Sequence, residues 1–548
     1  MDLQTPFVDD LIQAEDEYEV MALCYNKLLE YTHDTDIGFV AKIEHLESDV
    51  EFKPFAQKFE ELRQTIISYS QEINVHFGSD GTGFDTFKER LIVALRSFPC
   101  PEQIDIGRWL SVCLFYVLEA LDSYIDKNLD LVRSDYRTFG PLNRGSSKTC
   151  CLVYLHERES FLSAAYAEGY NGFRRPLRNT RIGSLFHAVL LIPFEQNSIV
   201  PQITPIFLND QCKQVLIERK AVKIASVPYI GFDTFSFHEV SAIDPCAPGQ
   251  IPDGPFYIDY DKREEDDVAR VIALLQSAIN GNANIIVFPE FIMSPNMLKG
   301  IKDYLKKLDF SRKSNLFLVL AGTCYHWDRK KGNNILHILN ANGIEIGSYY
   351  KHSPFLIQAE EKIHGALFQS KKDTDLQVKP EQGINPHKQR RYLENCEILS
   401  DPGKECTLID VDIVGRILPA ICRDVIDGRT ESLSNFFVPS FLVVPAWSQS
   451  ITSFDTRFLT LANTIHTVSL LCNCCNAVKG TDKKVTGKIV VPQKQGTRMD
   501  ALFQEITRDE NCTHFCQNHG GCLVQVEIDF AKSNPQVSLN KFFANNAL

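Results

Sequence analysis

An α/β domain preceded by a mainly helical one is what the sequence predicts, on three observations. The 548 residues, 44% of them hydrophobic, are too many for one ordinary core and call for two or three domains. Up to about residue 142 the apolar residues recur at helical spacing, as in "FKPFAQKFEELRQTIISYSQEI", where Phe55, Phe59, Leu62, Ile66 and Ile67 share a face. After about Leu216, amphipathic stretches of helical length alternate with short apolar runs, the rhythm of an α/β fold.

The first helical stretch, "TPFVDDLIQAEDEYEVMALCYNKLLEYTH", opens with Thr5 as a candidate N-cap and Pro6 at the first helical position. "GRWLSVCLFYVLEALDSYIDKNLDLV" is apolar enough to be a buried core helix. We read 1–142 as a helical domain and 143–215 as a mixed bridging region of unknown fold, with strand-like runs at "KTCCLVYL" and "SLFHAVLLIPF". The α/β domain takes 216–548. Its strands are expected at "AVKIASVPYIGF", a strand with a turn, and at "ANIIVFPEF", "NLFLVLAGTCY", "CTLIDVDIVGRILPAIC", "FFVPSFLVVPAW", "KIVV" and "CLVQVEIDF". Its helices are expected at "REEDDVARVIALLQSAINGN", ending in a Gly-Asn stop, "NMLKGIKDYLKKL" and "DTRFLTLANTIHTVSLL". Asn342-Gly343 between two strand-like runs signals a hairpin. The polar stretch at about 369–404 reads as an exposed insertion.

Charge and targeting bound the function. A formal net charge of -13 argues against a general nucleic-acid binder, which must neutralise phosphates. The basic segments "NGFRRPLRN" and "HKQRR" read as solvated surface. The acidic first twenty residues lack the basic and apolar regions of a signal peptide, and no apolar run approaches a bilayer span. We therefore expect a cytoplasmic protein with no membrane partner, whose 17 cysteines are thiols rather than a disulfide framework.

Three residues stand out at strand ends: Glu290 after "IIVFP", Lys351 after "GSYY" and Cys422 after "ILPAI". Singly, each has a plain reading as a turn acid, a surface lysine or a core cysteine. Together they make a chemical set. A thiolate attacks an electrophilic carbon, a carboxylate moves its proton to the leaving amine, and an ammonium steadies the oxyanion.

With their flanks, "IIVFPEF", "GSYYKHSPF" and "LPAICRD" resemble the three motifs of the nitrilase, or carbon–nitrogen hydrolase, superfamily over about 216–530. "VVPAW" and the segment carrying Arg457 and Asn463 are also similar to the family pattern. The resemblance implies an α-β-β-α sandwich, a homo-oligomer, a thioester acyl-enzyme and no cofactor. It also implies a small amide or nitrile substrate. In it Asp424 structures the loop after the nucleophile, and the Arg423 backbone N–H joins Lys351 at the oxyanion. A second glutamate is Glu360 or its neighbour Glu361, with Glu360 preferred. After Asp424 the chain departs from the family's Arg-Phe-Pro-Glu-like run and reads Val425, Ile426, Asp427, Gly428.

Two other features bear on function. Four of Cys512, His514, Cys516, His519 and Cys522 could bind zinc, but the spacing of Cys512, Cys516, His519 and Cys522 is not a common zinc pattern, and a thiol-rich loop competes. The rival to an enzyme is a nitrilase-like interaction or ligand-sensing module in a larger assembly, with a protein partner through the N-terminal domain. Nitrilase-like domains occur in bacterial conflict systems, sometimes beside a reverse transcriptase. "VLEALDSYIDKN" has no aromatic-x-Asp-Asp pattern, so this chain is not itself a polymerase by that test.

Overall fold

The computed structural model describes residues 5–14, 17–32, 52–72, 82–98, 100–102, 104–127, 151–155, 189–193, 201–228, 235–239, 249–250, 256–260, 264–313, 315–328, 331–354, 356–358, 368–369, 394–396, 406–448, 450–475, 485–495, 498–507, 522–531 and 534–543. They fall into two compact units.

The first unit holds helices α1 (Thr5–Gln13), α2 (Glu17–Leu29), α3 (Ala56–Glu72), α4 (Thr82–Arg96) and α5 (Ile106–Lys127). The expected first helical stretch is thus two helices. Lys88 of α4 donates to the Ile12 and Ala14 carbonyls, at 2.8 and 2.6 Å, and so satisfies the open end of α1 where the chain turns. Phe59, Phe98 and Trp109 pack ring to ring, with Phe59 and Trp109 centroids 4.7 Å apart. Strands Cys151–Leu155 and Val189–Pro193 pair antiparallel in this unit, and Leu191 joins its core.

The second unit contains two seven-stranded sheets. The strands of these two sheets are β1 (Gln202–Ile206), β2 (Ala221–Ser226), β3 (Ile285–Val287), β4 (Leu318–Asp328), β5 (Lys331–Asn340), β6 (Glu345–Tyr350), β7 (Thr407–Val411), β8 (Gly415–Pro419), β9 (Phe441–Ala446), β10 (Val468–Asn473), β11 (Val485–Gln495), β12 (Arg498–Thr507), β13 (Cys522–Asp529) and β14 (Gln536–Phe543). One sheet runs β6-β5-β4-β3-β2-β13-β14 and the other β12-β11-β10-β9-β8-β7-β1. The helices are α6 (Asp210–Arg219), α7 (Glu264–Asn280), α8 (Pro295–Lys307), α9 (Arg423–Ile426), α10 (Arg429–Phe437) and α11 (Asp455–Ile465).

The sheets lie face to face. Cys472 of β10 donates its thiol to the Val287 carbonyl of β3, 3.3 Å away. Leu274, Leu275, Ile301 and Leu305 of α7 and α8 share a core with Ile286, Val319 and Ala321 of the first sheet. α11 covers β10, β11 and β12 of the second. The unit is therefore the α-β-β-α sandwich that the nitrilase resemblance implies. Its central strands β2, β3 and β4, and likewise β8, β9 and β10, run parallel, so they read as continuous apolar runs.

The sequence reading and the structure differ in places. "DTRFLTLANTIHTVSLL" is helical only as far as Ile465. His466 then takes a left-handed φ of 57°, and β10 starts at Val468. In "FFVPSFLVVPAW", Phe436 and Phe437 close α10 before β9 begins. Among the described residues β1, β12 and β14 had no strand signal of their own. The insertion at 369–404 lies outside the described residues except for Gln369 and Glu394–Cys396.

The Asn342-Gly343 hairpin joins β5 to β6 as expected. Asn340 accepts from the Asn342 and Ile344 N–H groups, and Gly343 has φ +72°. A Cβ on Gly343 would lie 2.6 Å from the Lys302 carbonyl oxygen. Gly343→Ala should lower stability by about 1–3 kcal/mol. Equilibrium urea unfolding measures this, and an unchanged midpoint would refute the close approach.

Candidate active site

Each of the three strand-end residues is delivered by a short turn. Glu290 follows β3 by three residues. Phe288 donates to the Leu320 carbonyl, and Phe291, at φ +62°, donates to the Thr323 hydroxyl at 2.9 Å. Gly322 permits this approach of β4, since a Cβ there would meet the Pro289 carbonyl at 2.7 Å. Lys351 directly follows β6, and its N–H donates to the Asn334 carbonyl of β5. Cys422 lies three residues beyond β8 with φ 44° and ψ -106°, a strained conformation for a non-glycine residue. Its N–H donates to the Pro445 carbonyl of β9, which holds the turn in place.

These turns bring the three side chains together. The Lys351 ammonium is 2.6 Å from Glu290 Oε1, and neither side chain is exposed. Asn334 Nδ2 donates to the same oxygen at 3.0 Å, and the Trp447 N–H to Oε2 at 3.0 Å. Lys351 also stands over the Phe291 ring, 5.1 Å from its centroid. The Cys422 thiol is buried, lies 3.9 Å from the Trp447 carbonyl and is near enough to Glu290 and Lys351 to feel both charges.

Burial pushes the Cys422 thiol well above its ordinary range. The Glu290 charge pushes the same way, and Lys351 pulls against both. The resting group is a neutral thiol next to a carboxylate able to take its proton. Elevation alone does not single out this cysteine. Burial also raises Cys472, to about 12, and Cys474. Cys474 donates to the Glu290 backbone carbonyl at 3.4 Å, which makes it part of the wall. What distinguishes Cys422 is that the Lys351 ammonium as well as the Glu290 carboxylate acts on it, and its place on the strained turn.

Asp424 does not face this cluster as a reactant. Its carboxylate accepts the His352 N–H at 3.1 Å and the Ser353 N–H at 2.6 Å, so it pins the chain after Lys351 to the turn after Cys422. Arg423 pairs with Asp427 at 3.1 Å. Its backbone N–H, at the first position of α9, has no partner within the helix. Arg457 pairs with Glu431 and ties α11 to α10. Glu360 lies outside the described residues, as do Glu361, Cys512, His514, Cys516 and His519. Asn334, Phe291 and the Trp447 N–H were not foreseen. Trp447 sits in the quoted "VVPAW" run, but a backbone donor leaves no mark in the residue type.

Burial raises the Asp424 carboxyl to about 6 from an ordinary 3.8, with the Ser353 and His352 N–H groups opposing it. Between those values the folded state holds a proton that the unfolded state has lost, so this group's stabilisation declines as pH rises from about 4 to about 6. The contribution is on the order of 3 kcal/mol. Asp424→Asn, which keeps an acceptor oxygen, should flatten that part of the profile. Urea midpoints of both proteins across this pH range decide it, and parallel profiles would rule the assignment out.

No family model matches the chain, and no curated protein matches it. Solved structures with similarity to it include Saccharomyces cerevisiae Nit3, a member of branch 10 of the nitrilase superfamily. That match has 14% identity and a TM-score of 0.29, covering 52% of this chain and 90% of that one. An amidase from Nesterenkonia sp. matches at 11% identity and a TM-score of 0.28, covering 53% of this chain and 91% of that one. A glutamine-dependent NAD+ synthetase from Acinetobacter baumannii matches at 13% identity and a TM-score of 0.30. There the match covers 58% of this chain but only 47% of the other.

Proposed function

We propose that the chain is a cysteine-dependent enzyme that cleaves a non-peptide C–N bond, in a small amide or nitrile, through a thioester. The observation that carries this is the buried Glu290–Lys351 pair, with the buried Cys422 thiol close enough for both charges to act on it. For an amide, Glu290 takes the thiol proton as sulfur bonds to the carbonyl carbon. The carbonyl electron pair moves onto oxygen, where Lys351 and the Arg423 N–H offset the charge. Collapse restores the carbonyl, breaks the C–N bond and returns the proton from Glu290 to the departing amine. Water, or an amine in the transferase variant, then attacks the thioester with Glu290 again as base, and Cys422 leaves as thiol.

Buried Phe291 and Trp447 beside the thiol favour a compact acyl group. A homo-oligomer, a cytoplasmic setting and a protein partner for the helical unit accompany this reading as proposals. No described helix is long and apolar enough to cross a membrane.

Electrophilic amide or nitrile probes should label Cys422 in preference to the other buried thiols, as read by peptide mass mapping. Cys422→Ala should abolish labelling and lower turnover by about 10³-fold or more. Glu290→Gln should lower it comparably while Cys422 remains present. A function that persists undiminished in Cys422→Ala would replace this reading with the interaction-module one.

A further inference from the structure

A second cluster of reactive side chains lies on the same sheet and has no part in the chemistry above. Cys324 and His326 are two residues apart on β4, so they share a face. His337 comes from β5, where the pairing with β4 shifts register between Leu336 and Ile338. One ligand atom from each of the three lies within 4.8 Å of the others. The two imidazole rings are 5.9 Å apart, centroid to centroid.

The orientation of His337 is that of a metal ligand. Its Nδ1 is 2.7 Å from Glu345 Oε1, and the other Glu345 oxygen is 2.6 Å from the Lys302 ammonium. The carboxylate is thus an ion-paired acceptor for the imidazole. An ionised acceptor keeps the proton on Nδ1 and leaves a lone pair on Nε2. That nitrogen is buried and has no hydrogen-bond partner, in a residue 8% exposed. A carboxylate–histidine pair presenting a bare second nitrogen is how proteins orient metal-binding imidazoles.

We propose that Cys324, His326 and His337 bind one borderline divalent transition metal, zinc(II) foremost, with Glu345 orienting His337. Tetrahedral zinc with bonds of about 2.0–2.3 Å brings its ligand atoms to about 3.3–3.7 Å from one another. The existing separations therefore need to close by no more than about 1.5 Å. Binding converts the Cys324 thiol to a thiolate and releases one proton to solvent per metal. Three protein ligands leave the fourth position to water, on the side where His326 is exposed. The thiolate and imidazole set disfavours calcium and magnesium, which take oxygen ligands.

The experiment uses the full chain, stripped with chelator and titrated with Co²⁺ and Zn²⁺. One equivalent of Co²⁺ should bind and give tetrahedral d–d bands with a thiolate-to-cobalt charge-transfer band, and Zn²⁺ should displace it. His326→Ala, at an exposed position where the fold is retained, should remove the site. Glu345→Gln should weaken it by about 10–100-fold. Cys422→Ala and the double variant Cys512→Ser/Cys516→Ser should leave it intact, which separates it from the reactive thiol and from the cysteine-rich segment near the C-terminus. The proposal is overturned by Co²⁺ binding without thiolate charge transfer, by a spectrum unchanged in His326→Ala, or by loss of the site only in the Cys512→Ser/Cys516→Ser protein.

Discussion

The salt bridge between Glu290 and Lys351, sealed from solvent, is the constraint on which the rest of the α/β unit depends. Two charges taken out of water lose several kcal/mol of hydration each, and their attraction recovers this only when the remaining lone pairs are also satisfied. Here Asn334 and the Trp447 N–H supply the further bonds to the carboxylate. An aromatic face lies under the ammonium. Loss of either partner would leave an uncompensated charge in the core, so the surrounding backbone is held to positions that keep both. The left-handed φ values of Phe291 and Cys422 are part of that cost.

The pair also organises how the cluster is assembled. Glu290 and Lys351 both follow strands of the first sheet, and Asn334 of β5 bonds to both through its side chain and its carbonyl. Cys422 and Trp447 follow strands of the second sheet. The acid and the cation are therefore set within one layer, and the thiol is brought to them by packing across the sandwich. Asp424 reinforces this arrangement from the cysteine side by gripping the two N–H groups that follow Lys351.

The parts legible in the sequence were those marked by a change of residue type. Glu290, Lys351 and Cys422 each end an apolar run, and a run that stops at a charged or nucleophilic residue beside Gly, Pro or Tyr is visible in one dimension. The Asn342-Gly343 turn was visible because its backbone demands small or amide residues. Long-range pairing was not legible. β1 lies far upstream of β7 yet runs parallel to it, and its sequence, "QITPI", has no clean alternation. The helix around Arg457 runs into a strand without a proline to mark the break, since His466 takes the left-handed turn itself. Asn334 looks like any strand asparagine until β6 places Lys351 beside it. The Cys324, His326 and His337 cluster is likewise a product of register, because a bulge sets the last of them against the first two.

The position of β13 has a consequence for how the protein is made. It pairs directly with β2, in the interior of the first sheet, and β14 then closes the outer side. Strands that leave the ribosome long after Glu290 therefore complete the layer that carries it. Until they arrive, β2 presents an unpaired apolar edge of the kind that recruits other chains. The candidate site and the solubility of the nascent chain thus depend on the same late event. A polypeptide interrupted before Cys522 would have every residue of the centre in its sequence and no finished sheet to hold it.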